Sequence, residues 1–135
     1  MSHFTKVKTK MKDGEILVKL LQEMAYNVDV HDVPVTIQGY SGQTDEANIV
    51  VTKDQFGGYG DLGYRKDGQE MIEIVDSGDK NKIFSKCGGY NRFQMNYSTE
   101  VVKQEHTRIP GAISTTQKDI ENGNILVETI ALVEN

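Results

Sequence analysis

Tryptophan is missing from the 135 residues, and the chain has one cysteine and two prolines. The lone Cys87 excludes an internal disulfide framework and fits a reducing compartment. No window approaches the apolar run of about 18 residues that marks a membrane-spanning helix. The opening MSHFTKVKTK also lacks the apolar core of a secretory signal peptide, so a cytoplasmic protein with no membrane partner is expected. A G-x-S-x-G nucleophile elbow and a Gly-Lys-Ser/Thr phosphate loop are both absent. Positive charge is short as well. With 15 Lys and Arg against 20 Asp and Glu the formal charge is −5, which disfavours general nucleic-acid binding, because displacing counterions from phosphates needs a basic surface.

The composition is 37% hydrophobic and 26% charged, as in globular proteins, and the length predicts one domain over 1–135 that folds without disulfide or metal. The charge is uneven. Lys6, Lys8, Lys10 and Lys12 occupy every second position near the start with no acid among them, and a formal −5 less this +4 leaves −9 on the rest. That alternation predicts a strand with a solvated lysine face, shared by Phe4, over a buried face with Val7 and Met11.

Asp13 is then an N-cap for a helix over 13–26, whose Ile16, Leu17, Leu20, Leu21 and Met24 make one apolar stripe. Val33, Val35 and Ile37 predict a strand that Pro34 restricts to an edge or an irregular start. A β-branched run over 48–52 predicts another. Asp67-Gly68 joins Leu62–Lys66 to Gln69–Val75, and Asn122-Gly123 joins Ile113–Ile120 to Asn124–Val133, both as hairpins. Between them Tyr90, Phe93, Tyr97 and Val101 have helical spacing, and that helix must stop before Pro110. The order is β-α-β-β-β-β-α-β-β, an α+β domain with two helices covering a mostly antiparallel sheet.

Several short motifs, in this order, resemble a known family: Met1-Ser2-His3-Phe4 with Val7-Lys8-Thr9, the turn Gly39-Tyr40-Ser41-Gly42-Gln43-Thr44, Asp61-Leu62-Gly63-Tyr64 before a hairpin, Val75-Asp76 after it, and Tyr97. They are similar to the Ycf35 family, also called DUF1257, small proteins of cyanobacteria and algal plastids. The chain departs from that family in having no tryptophan after Asp76 or at its end, as a divergent, cyanophage-borne member would. The resemblance implies a cyanobacterial cytoplasm, that of a phage-infected host included, or for the algal relatives a plastid stroma. It implies no activity.

Candidate chemistry is sparse. Asp29, His31 and Asp32 are too few for a metal site, which needs three or four convergent ligands, and they read as solvated turn residues. Cys87 beside Lys86 lacks a positioned base and reads as packing. Gly57-Gly58-Tyr59-Gly60 lies between strands rather than before a helix and reads as a turn or bulge. Glu70 with Glu73, and Asp76 with Asp79, are the paired carboxylates; Asp76 reads as a turn or helix cap. No cofactor, metal or catalytic residue is expected.

Two surfaces stand out. Lys6, Lys8, Lys10 and Lys12 form a candidate face for a protein or acidic ligand, although lysines also protect an edge strand from pairing with other chains. Tyr40, Gln43, Asp61, Tyr64, Asp76 and Tyr97 are the candidate lining of a pocket between sheet and helices. The expectation is a non-enzymatic binding or regulatory module. A small-ligand protein or enzyme using that pocket is the alternative, and an assembly or virion component a weaker one.

Overall fold

The computed structural model describes residues 3–108. In order these are β1 (Phe4–Thr9), α1 (Gly14–Glu23), β2 (Asp29–Gln38), β3 (Thr44–Val51), β4 (Leu62–Asp67), β5 (Glu70–Asp76), α2 (Lys80–Phe84) and α3 (Tyr90–Arg108). The strands form one antiparallel sheet in the order β1-β5-β4-β3-β2. The chain is thus α+β, with the expected element order as far as the second long helix. The closing hairpin expected over 113–133 lies outside the described residues. Met1–Phe93 forms one unit and Gln94–Asn135 a second, so the sheet, α1, α2 and the first turn of α3 belong together.

Helix α1 begins where its sequence requires. Asp13 Oδ1 accepts the Glu15 and Ile16 amides at 3.0 and 3.2 Å, satisfying two N–H groups that have no partner within the helix. Ile16, Leu17, Leu20 and Leu21 are buried. At the other end the Tyr26 amide donates to Leu21 and the Ala25 amide to Gln22, a Schellman closure that places Ala25 at φ +70°. A Cβ in that region is unfavourable, and glycine is its usual occupant. Ala25→Gly is therefore expected to stabilise the protein by about 0.5–1 kcal/mol, read as a higher urea midpoint with an unchanged slope.

Directly opposed residues of neighbouring strands share a face, and the register sorts the sheet accordingly. Met71, Glu73 and Val75 of β5 lie with Tyr64, Leu62, Ile49 and Val51. Helix α1 covers this face, with Gly14 close to Ile49 and Met71, and Phe84, Tyr90 and Phe93 pack into one aromatic group. The opposite face carries Ile37, Ala47, Val50 and Ile74, flanked by Phe4, Val35 and Ile72. No side chain fits at Gly63, where a Cβ would lie 2.7 Å from that of Ala47.

The sheet curls around this second cluster. The Phe4 amide of β1 donates to Gln43 Oε1 at 3.0 Å, and Lys6 Nζ lies 3.3 Å from Asp45 of β3, although β5 and β4 separate those strands in the ladder. The Phe4 ring lies against Gly39 and Gly60, leaving no room for a Cβ at Gly39 and only a tight fit at Gly60. Burial opposes ionisation of Asp45, but the Glu46 amide, Arg65 and Lys6 outweigh it and hold its pKa below the usual carboxylate range.

Four expectations need correction. The lysine alternation does not stay on the strand: β1 ends at Thr9, so Lys10 and Lys12 lie beyond it. Met11 is buried, but Val7 is 52% exposed, because β1 is an outer strand of the described sheet. The β4–β5 loop is Gly68-Gln69 rather than Asp67-Gly68, since Asp67 pairs with Glu70. Of these two loop residues only Gly68 has a positive φ, +64°, as a turn with glycine first requires. Finally, the short helix α2 was not expected at all.

Strand β2 is the other outer strand, and it is irregular at Pro34. Val30 pairs with Ile49 but Val35 with Ala47, so β2 bulges between them. The buried Asn48 fills the gap. Its Nδ2 donates to the carbonyls of His31 and Asp32, each at 3.1 Å, and its Oδ1 accepts the Lys66 amide at 2.9 Å.

Candidate functional site

Within the first unit the candidate lining residues lie in two places. Tyr40, Gln43 and Asp61 meet at the end of the sheet where Phe4 and Asp76 pair. Tyr64 is fully buried on the helix-covered face. Tyr97 belongs to the second unit.

At the loop end, acidic side chains organise backbone. Asp61 Oδ2 accepts the Gln38 amide at 2.7 Å and Oδ1 the Lys53 amide at 2.9 Å, tying the end of β2 to the β3–β4 connection. Asp79, wholly buried, accepts the Tyr59 amide at 2.8 Å and the Gly60 amide at 3.0 Å. The Gly57–Gly60 segment is thus a turn whose amides serve the chain's own carboxylate, as the absence of a following helix anticipated. Asp76 Oδ1 accepts the Gly78 amide at 2.8 Å, the turn cap anticipated for it. Its Oδ2 is buried without a hydrogen-bond partner among the described residues.

On these pinned loops stand Tyr40 and Tyr59, 42% and 47% exposed. Their rings meet edge to face, centroids 5.5 Å apart at 87°, an arrangement that the aromatic quadrupole favours. Lys82 donates to the Gly57 carbonyl at 3.0 Å and lies 5.7 Å from the Tyr59 ring centroid.

A second polar group sits inside the core. Glu73 is 1% exposed. Tyr64, its cross-strand partner, donates to Oε2 at 2.8 Å; Tyr90, from the first turn of α3, donates to Oε1 at 2.9 Å and Oε2 at 3.0 Å. Lys80, first residue of α2, brings Nζ to 3.6 Å from Oε1 and to 3.8 Å from the Tyr90 ring centroid. Burial raises the pKa of both tyrosines, and the adjacent carboxylate raises it further. They remain protonated donors through the physiological range.

In the sequence Glu73 is one of a carboxylate pair and Tyr90 one position of a helical stripe. A sharper signal was available: Glu73 is the one charged residue inside the run Met71–Val75, on a face otherwise apolar.

The lysine stripe is partly engaged. Lys6 pairs with Asp45 and Lys8 with Glu70, each at 3.3 Å, while Lys10 and Lys12 are exposed. Cys87 Sγ lies 3.3 Å from the Phe84 carbonyl, and burial pushes its thiol pKa up, the opposite of what a nucleophilic cysteine needs. Lys86 sits over the Tyr26 ring instead, 4.3 Å from its centroid. Among the described residues no three His, Cys, Asp or Glu side chains come together as metal ligands, and no helix is long and apolar enough to cross a membrane.

These features define a small α+β protein whose buried acids fix loops and a core, and whose exposed aromatics gather at one end. Comparison with known proteins specifies the kinship. A family model described as a protein of unknown function (DUF1257) matches residues 20–127, and the chain belongs to that family. It is 36% identical over 76 residues to an "Uncharacterized protein ycf35" of Guillardia theta, which covers 56% of each chain. The chain therefore spans about half the length of that curated relative. No solved structure matches it. The family description assigns no function, so the activity of this chain is likewise unassigned.

Proposed function

We propose that the chain is a small non-enzymatic binding or regulatory module that engages a protein partner through Tyr40 and Tyr59. The observation that carries this reading is the presentation of two half-exposed, mutually packed tyrosines on loops fixed by Asp61, Asp79 and Gln43. Tyrosine offers a large contact area at little entropic cost and is enriched among the residues that dominate interface energies. Loops already held in place lose less freedom on binding. Lys82 beside Tyr59 adds positive charge, so the complementary surface pairs an apolar pocket with an acidic group.

The basic N-terminal residues are a weaker candidate surface, because Lys6 and Lys8 already pair with acids. A pocket between the sheet and α1 has less support still, since Leu17, Leu20, Leu21, Phe84 and Phe93 are buried on that side. A setting in the cyanobacterial cytoplasm or plastid stroma belongs to this proposal and rests on kinship.

The test is affinity purification from native cells with the unaltered chain, Tyr40→Ala/Tyr59→Ala, and Lys10→Glu/Lys12→Glu. For the protein captured, the tyrosine variant is expected to bind at least about tenfold more weakly with little change in unfolding midpoint. The lysine variant is expected to retain binding. Undiminished binding by Tyr40→Ala/Tyr59→Ala would overturn the assignment.

A further inference from the structure

We infer that Glu73, Tyr90 and Tyr64 form an ammonium-binding site that the chain's own Lys80 occupies, and that a small primary alkylammonium takes its place when Lys80 swings outward. Three observations support this. Glu73 is 1% exposed whereas the Lys80 side chain is 36% exposed, so the cation is the outer partner. The Nζ–Oε1 separation of 3.6 Å exceeds the roughly 2.7–2.9 Å of a charge-assisted hydrogen bond, so Lys80 is loosely engaged. The Tyr90 face lies 3.8 Å from Nζ, which adds the attraction of an aromatic quadrupole for a cation. The neighbouring lysines are directed elsewhere, Lys82 to the Gly57 carbonyl and Lys86 to the Tyr26 ring.

The donor set selects the ligand class. One carboxylate and two phenols supply too few hard oxygens for Ca²⁺ or Mg²⁺, and no nitrogen or sulfur for Zn²⁺. An anion would meet Glu73 directly. A quaternary ammonium ion has no N–H to donate to Glu73, and it would find one aromatic face here where such ions are usually caged by several. A primary ammonium satisfies both parts of the site, donating to Glu73 and resting its alkyl group and charge on Tyr90. The site lies in the core beneath α2, apart from the Tyr40–Tyr59 surface, and does not depend on that surface having a partner.

The test is rescue of stability. Thermal unfolding of Lys80→Ala is followed against n-propylammonium chloride, with tetramethylammonium chloride at equal ionic strength as control. A saturable rise in midpoint with propylammonium alone is expected. Lys80→Ala/Glu73→Gln should lose that rise, and the unaltered protein should need about tenfold more ligand or above, because Lys80 competes. No saturable rise in Lys80→Ala, an equal rise in the double variant or with tetramethylammonium, or equal affinity in the unaltered protein would each overturn the inference. If neither variant folds, NMR of the unaltered protein decides: a saturable propylammonium shift of the Tyr64 and Tyr90 ring signals sustains the site, and its absence refutes it.

Discussion

Glu73→Ala is expected to lower the unfolding free energy by about 3–5 kcal/mol, the range found when one partner of a buried charged network is removed. Most of that loss comes from the groups left behind. The Tyr64 and Tyr90 hydroxyls both donate to this carboxylate, and Tyr64 is wholly buried, so its hydroxyl has no water to turn to. A stranded buried donor costs about 1–3 kcal/mol. Lys80 adds little, because a third of its side chain is in solvent and exposed charges are well screened.

Glu73→Gln keeps one acceptor oxygen and should cost clearly less, and Tyr64→Phe less again, because Tyr90 and Lys80 remain on the carboxylate. Urea denaturation checks the ranking through midpoints at constant slope. A loss under about 1 kcal/mol for Glu73→Ala would mean that the core readmits water there and that the network is not desolvated.

The same network marks the boundary of what the sequence discloses. Helix α1 was legible because its stripe and its Asp13 cap are encoded within a few residues. The β4–β5 hairpin was legible through Gly68, and α3 through Tyr90 and Phe93. Each of these depends on local spacing. The curl of the sheet does not: Phe4 with Gln43 and Lys6 with Asp45 are 39 residues apart, and no pattern in either segment names the other. Parity alone put Val7 inside, yet an outer strand leaves it half in water. Helix α2 is five residues long, too short for an apolar stripe to repeat.

The candidate site was legible in type and not in grouping. Tyr40 and Tyr59 looked unusual because large side chains in loops have little packing reason to be there, and both are exposed. Asp61 and Asp76 both accept backbone amides, which for Asp76 is the turn cap its place at a strand end suggests and for Asp61 a tie between two distant loops that no local pattern shows. That outcome also changes the meaning of the net charge. Asp61, Glu73, Asp76 and Asp79 are buried, so four of the twenty acids behind the formal −5 offer a partner no carboxylate for direct pairing, although their charge still adds to the field.

Alkaline pH should expose the network from the opposite direction. From about pH 10 stability is expected to fall by up to about 2.7 kcal/mol per pH unit, from two coupled protons at about 1.36 kcal/mol each, after a shallower decline that begins where the unfolded chain ionises Cys87, whose thiol pKa burial also raises. The folded state keeps Tyr64 and Tyr90 protonated well beyond the ordinary tyrosine range, through burial first and then the Glu73 carboxylate. The unfolded chain releases those protons near pH 10, so above that point it binds fewer protons than the native state and is favoured as pH rises. Tyr26, raised mainly by burial, should steepen the fall.

Tyr64→Phe/Tyr90→Phe isolates the two phenols: it leaves Glu73 and Lys80 in place and should flatten the slope by about two protons. Urea midpoints between pH 8 and 11.5 measure both proteins. A native-protein curve as flat as that of the double variant would show that burial and Glu73 together do not keep either hydroxyl protonated in solution.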